Sequence, residues 1–302
     1  MAADDTPLIP SPTPHLRHLL HTAPADVRGP VMIVAFEGWN DAGDAATIAL
    51  HHIEAQWEAK VFATIDPEEF YDFSETRPLV QFDDDGMREI VWPTNALSLV
   101  RADANEGGTR VDAITLIGIE PQLRWRTFCQ QITGLAEHVG ARFVITLGAL
   151  LAETPHSRPT QVFGTAYETA VVDELGLLPS RYQGPTGIVG VLHAACRDAG
   201  LRSASLWAAV PAYLSSNPSP KAALALVQKT AHLLDISIPA PELEIASLSW
   251  ETQVQAAVDA DPDTAAFVAA LEARFDNNDM NPFDADLSLA DEVEQFLREQ
   301  RD

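Results

Sequence analysis

Four continuous apolar runs constrain this chain more than any other feature: Val31–Phe36, Ala113–Ile119, Arg142–Leu147 and Ala204–Val210. None of them alternates polar with apolar residues. A strand with one face in water must alternate, so continuous runs of this length predict strands covered on both faces, as in a parallel sheet. The segments between them carry helical spacing, at about Asp44 to Trp57, Trp125 to Val139, Tyr167 to Leu175, Thr186 to Ala199 and Pro220 to Leu234. Strands separated by helices call for right-handed βαβ crossovers. The expected fold class is therefore α/β, a three-layer α/β/α sandwich.

Weaker strand signals surround this frame. Lys60–Ile65 reads as a further strand, while Met87–Trp92 and Ala96–Val100 resemble the two arms of a hairpin. Residues 1–30 hold Pro7, Pro10, Pro12 and Pro14 and read as a flexible Pro-rich arm, since proline cannot sit centrally in a sheet. The core domain is expected over 31–240. Residues 241–302 show no strand pattern and read as two or three acidic amphipathic helices, a C-terminal helical appendage broken at Asp261-Pro262 and at Asp276–Pro282.

Charge and composition exclude several function classes. The formal charge is −25, which opposes binding to nucleic acid phosphates and to anionic membranes. Residues 241–302 alone hold 16 acidic and 3 basic side chains. That block is either a solvated face or a surface that steers a basic partner. No apolar run approaches the ~20 residues of a membrane-spanning helix, and no basic segment followed by an apolar block opens the chain. A cytoplasmic location is expected. Cys129 and Cys196 lie in separate helical segments without CxxC spacing, so free thiols are expected, with no metal and no cofactor.

Four loops follow strands or open helices, where α/β proteins gather ligands. Gly38-Trp-Asn-Asp-Ala-Gly43 has the strand–turn–helix shape of a phosphate cradle but matches neither GxGxxG nor GxxxxGK[ST]. Its Asp41 and Asp44 suit either a helix cap or a metal ligand or general base. Pro155-His-Ser-Arg-Pro159 presents His156 and Arg158 from a rigid loop. They suit a carboxylate or phosphate ligand, or else ion pairs with acidic groups of a neighbouring loop or subunit. Ser157 lacks the G-x-S-x-G elbow of a nucleophile. Gly184, Thr186 and Gly187 of Tyr182-Gln-Gly-Pro-Thr-Gly187 open a helix, so they either bind an anion through free amides or permit close packing. Val210–Pro220 reads as a structural entry into the next helix, and Trp39, Trp92, Trp125 and Trp207 as packing residues.

Taken together, these strings resemble the proteasome assembly chaperone family, second-subunit type, in its actinobacterial branch. The resemblance rests on Gly38–Gly43, Tyr71-Asp-Phe-Ser-Glu-Thr-Arg-Pro78, Gly118-Ile-Glu-Pro121 with Trp125, Pro155–Pro159, Tyr182–Gly187, and Val210-Pro-Ala-Tyr213 with Ser219-Pro-Lys221. It implies a phosphorylase- or hydrolase-like α/β/α fold and no catalytic residues. It also implies a homo-oligomer, with three copies as the working number, and a proteasome-related protein partner. Some relatives dock through a C-terminal hydrophobic–Tyr–any tail. Here Gln300 and Arg301 occupy those places, so docking by that route is not expected. The leading functional expectation is a noncatalytic oligomeric protein-binding or assembly factor. The alternative is a small-molecule-binding or hydrolase/phosphorylase-like site at the strand ends, built from Asp41, Asp44, His156, Arg158 and the Thr186 helix start.

Overall fold

The computed structural model describes residues 9–10, 16–21, 27, 29–57, 59–83, 85–102, 111–177, 183–215 and 217–277. Tyr182, the loop beyond Asn277, the third acidic helix and the Arg298–Asp302 terminus lie outside them.

In chain order the elements are β1 (Ile9–Pro10), β2 (Leu19–His21), β3 (Val31–Glu37), α1 (Ala45–Gln56), β4 (Lys60–Ile65), β5 (Leu79–Phe82), β6 (Arg88–Val91), β7 (Asn95–Ala102) and β8 (Val111–Ile119). Then come α2 (Trp125–His138), β9 (Phe143–Ala152), β10 (Val162–Thr165), α3 (Thr169–Leu175), α4 (Ile188–Asp198), β11 (Ser203–Pro211), α5 (Pro220–Leu234), α6 (Pro241–Asp259) and α7 (Pro262–Asp276). The main sheet has the order β1-β2-β4-β7-β8-β3-β9-β11-β10. Its centre, β8-β3-β9-β11, is parallel and consists of the four continuous apolar runs. The flanking strands are antiparallel.

Alternate residues of the central strands feed two separate cores, as the period of two in a strand requires. Val31, Ile33 and Ala35 of β3 join Ile145 and Leu147 of β9 beneath α1, α3 and α5. Met32, Val34 and Phe36 point the other way, toward Phe128 of α2 and Leu192 of α4. This is the three-layer arrangement. Phe128 stacks at 5.3 Å on Phe70 and at 5.8 Å on Phe36, ring distances typical of tilted aromatic contacts.

Three expectations need correction. Met87–Trp92 and Ala96–Val100 do not pair with each other. β6 forms a separate two-stranded sheet with β5, whereas β7 enters the main sheet between β4 and β8. Pro93 sits between them, and alternation identifies a strand without naming its partner. Part of the Pro-rich arm is also ordered: β2 pairs with β4, and Leu16 and Leu19 are buried. Pro10 pairs only at the outermost edge, where its missing N–H does no harm. Finally, β9 runs on to Ala152, and the short strand β10 closes the opposite edge.

Cys129 and Cys196 are unpaired and buried in the α2/α4 core, where desolvation pushes both thiols up to about 12. Thiolate is the reactive form. Native protein should therefore give no measurable thiol reaction with Ellman's reagent at pH 8, and two thiols per chain in guanidinium. Rapid labelling of the native chain would contradict this burial. Among the described residues no helix is long and apolar enough to cross a membrane.

Candidate functional site

The loop after β3 is built around Asp41. Its Oδ1 accepts from the amides of Ala46 (2.6 Å) and Thr47 (3.3 Å), and its Oδ2 from the Thr47 hydroxyl. Burial outweighs these bonds and raises the carboxyl to about 6. Asp41 is thus the acceptor for the first turn of α1. Asp44, at φ 51°, makes no capping bond and remains exposed. Among the described residues no three His, Cys, Asp or Glu side chains cluster to hold a metal.

The neighbouring Asn40 and Glu120 close the N-terminus of α4. Glu120 Oε1 accepts from Ile188 N (2.7 Å) and Asn40 Oδ1 from Val189 N (3.3 Å). Two amides expected to be open to an anion, those of Ile188 and Val189, are therefore filled by the chain's own side chains. Gly187 has a steric role: a Cβ there would lie 2.1 Å from Asn40 Oδ1. Gly184 and Thr186 are exposed beside it.

These elements border a cavity of about 950 Å³ at the carboxyl ends of β3 and β9. Asp41, Asp44, Gly184 and Thr186 line it, together with Trp39 and Asn40. Its other walls come from Phe163 and Thr165 of β10, Ser205 and Trp207 of β11, and Gly190 and His193 of α4. The Trp207 ring lies across β9, where a Cβ at Gly148 would sit 2.8 Å from it, so only glycine leaves room for the indole. Trp207 Nε1 donates to Ser205 Oγ at 2.8 Å, and Ser205 Oγ lies 2.8 Å from Thr146 Oγ1. His193 is 6% exposed beneath the Tyr167 ring, 4.5 Å away, and Arg197 lies over the other part of that stack. Burial lowers the imidazole to about 4, so it is neutral at pH 7. The lining contains no Lys or Arg among the described residues.

His156 and Arg158 depart from the expected shared site: neither lines the cavity. They fasten α6 and α7 to the core. Gln255 Nε2 donates to Asp259, which turns its Oε1 toward His156 Nε2 at 3.1 Å and makes that nitrogen the donor. His156 Nδ1 must then accept, from the Tyr213 hydroxyl at 2.8 Å, while the same oxygen accepts from His156 N. Desolvation holds His156 below its ordinary pKa, consistent with this neutral tautomer. Lys221 bridges the His156 carbonyl and Glu251, at 2.8 Å from the carboxylate. Arg158 grips both oxygens of Asp276 at 2.8 Å, which raises its own pKa and lowers that of Asp276, and Ser157 donates to Glu272. The ion-pair alternative thus describes Arg158, with both carboxylates on α7. Three of the sequence strings, 155–159, 210–213 and 219–221, meet in this one junction.

A third feature carries no sequence motif. The β5–β6 hairpin packs on neither core, and Leu79, Val80, Phe82, Met87, Ile90 and Trp92 are between 45% and 67% exposed. Sequence reasoning missed this surface, and His193 with it. A short alternating run reads alike whether or not anything covers it, and a lone histidine on an apolar helix face carries no mark of its own.

No curated protein matches the chain. A crystal structure of a PAC2 family protein from Streptomyces avermitilis is 45% identical, with a TM-score of 0.74, covering 79% of this chain and 99% of its own. A proteasome-assembly chaperone homologue from Mycobacterium tuberculosis is 41% identical, with a TM-score of 0.71 and the same coverage. An archaeal proteasome activator from Pyrococcus furiosus shares the fold, at 16% identity, a TM-score of 0.64 and coverage of 79% and 97%. The PAC2 family model matches residues 35–258, which take in the sheet from the end of β3 onward, the cavity and nearly all of α6, and the chain accordingly belongs to the PAC2 family.

Proposed function

We propose that this chain is a noncatalytic protein-binding or assembly factor that works as a homo-oligomer in the cytoplasm. The observation that carries this reading is the β5–β6 hairpin. A lone two-stranded hairpin is marginal in water, and large exposed apolar side chains such as Val80, Phe82 and Ile90 call for a cover. The cover must be present whenever the chain is, and a second copy of the chain is the partner that meets this condition. Catalysis finds little support in the same structure: both ring nitrogens of His156 are engaged, and Ser157 donates to Glu272, which is also held by Arg158, rather than to a histidine.

The proteasome-related partner follows from the relative described as an assembly chaperone homologue. α6 and α7 offer it an acidic surface with Ile245, Leu248 and Phe267 exposed.

Sedimentation tests the oligomer. The parent chain should sediment as a multimer, and Leu79→Asp/Phe82→Asp should shift it to monomer mass with unchanged far-UV circular dichroism. A parent chain of monomer mass, or a variant that keeps the parent mass, would refute self-association through the hairpin. Immobilised full-length chain should retain purified actinobacterial 20S particles at physiological salt, and failure to do so removes the proteasome from the proposal.

A further inference from the structure

His193 holds an acceptor that the protein does not use. Its Nε2 is buried without a hydrogen-bond partner, while the other ring nitrogen serves the Ser203 carbonyl. In a neutral imidazole the nitrogen that donates carries the proton, so Nε2 presents a lone pair. A buried acceptor with nothing to accept is a free-energy cost that proteins rarely leave in place. Here it belongs to a residue of the cavity wall.

The rest of the wall limits what can supply the donor. Trp39, Phe163, Tyr167 and Trp207 offer flat apolar surfaces. The ionisable side chains lining the cavity are Asp41, Asp44, Tyr167 and His193, none of them cationic at neutral pH. Two of the amides at the start of α4, those of Ile188 and Val189, are taken by Glu120 and Asn40 and so are not offered to a phosphate. An anion entering this site would be desolvated beside carboxylates with no cationic side chain among the described lining residues, and Arg197, over Tyr167, is already paired with Asp198. Tyr167, half exposed, lies over the imidazole at 4.5 Å between ring centres.

We propose that the cavity binds a small planar organic molecule without negative charge, whose ring packs among the four aromatic side chains and whose N–H or O–H donates to His193 Nε2. The site stands apart from the assembly reading, because cavity and hairpin share no residue.

The test uses the full-length chain with phenol, indole and benzoate as probes. Phenol and indole should bind saturably by calorimetry or ligand-observed NMR, with benzoate at least about tenfold weaker. In protein labelled with 15N-histidine, saturation with phenol should move the His193 Nε2 resonance in the direction of an accepted hydrogen bond. His193→Phe preserves a flat ring and should weaken phenol about tenfold. An Nε2 resonance that stays in place at saturation overturns the proposal, as does benzoate binding equal to phenol or no binding of phenol and indole. Should His193→Phe fail to fold, the resonance of the unmutated chain still decides.

Discussion

Gly187→Ala should unfold about 3 kcal/mol more easily than the parent, a fall in Tm of roughly 6–12 °C for a chain of this size. Backbone strain is not the cause, because Gly187 has φ −94° and ψ −171°, which alanine adopts freely. The cost is steric. The new methyl would lie 2.1 Å from Asn40 Oδ1 and 2.7 Å from its Cγ. Asn40 is buried and short, so its carboxamide must leave the position from which it accepts Val189 N. Overpacking costs typically about 1–3 kcal/mol, and losing an amide's partner at a helix start about 1 more. A double-mutant cycle separates this account from general intolerance. Asn40→Ala removes the obstruction, so Gly187→Ala should cost much less in that background. Additive effects of the two substitutions, read by urea unfolding, would mean that Asn40 is not what alanine meets.

The same pair shows why only part of the molecule was legible. A continuous apolar run reports that both faces of a strand are covered, and β3, β8, β9 and β11 took their places on that information. It says nothing of which strand lies alongside, and β6 and β7, adjacent in sequence, went to different sheets. The Asp41 loop was readable because a cap acts on amides five or six residues ahead. The links that complete the site are distant. Asn40 reaches 149 residues to Val189, His156 57 to Tyr213, and Arg158 118 to Asp276. Each side chain is chemically suited to several roles, and only the folded neighbour selects one. Arg158 could have met a phosphate, but it met Asp276. The hairpin surface was illegible for the opposite reason, since neither core cluster covers it and, among the described residues, only Trp92 meets a ring outside the hairpin, that of Phe73.

Acidification from pH 7 to pH 5 should cost the parent chain more stability than His193→Asn, by about 2 kcal/mol. Burial lowers His193 from 6.5 to about 4 in the fold, so between those values the unfolded chain binds a proton that the folded chain does not. Stability then rises with pH: the contribution is complete above 6.5 and is lost as pH falls through about 4. His156 and His18 are lowered as well, chiefly by desolvation, and act in the same direction. Asp41 opposes them. Its carboxyl is raised from 3.8 to about 6, so its contribution is present below 3.8 and lost as pH rises through about 6. Asp41, His156 and His18 are present in both chains, so the difference between parent and variant isolates His193. Keeping pH at 5 or above holds Asp276 and Asp261, whose pKa values are lowered by Arg158 and Thr264, fully ionised and out of the comparison. Urea unfolding of parent and variant at both pH values gives the difference directly. Equal pH dependence in the two chains would show that the His193 ring takes up its proton as easily beneath Tyr167 as in water.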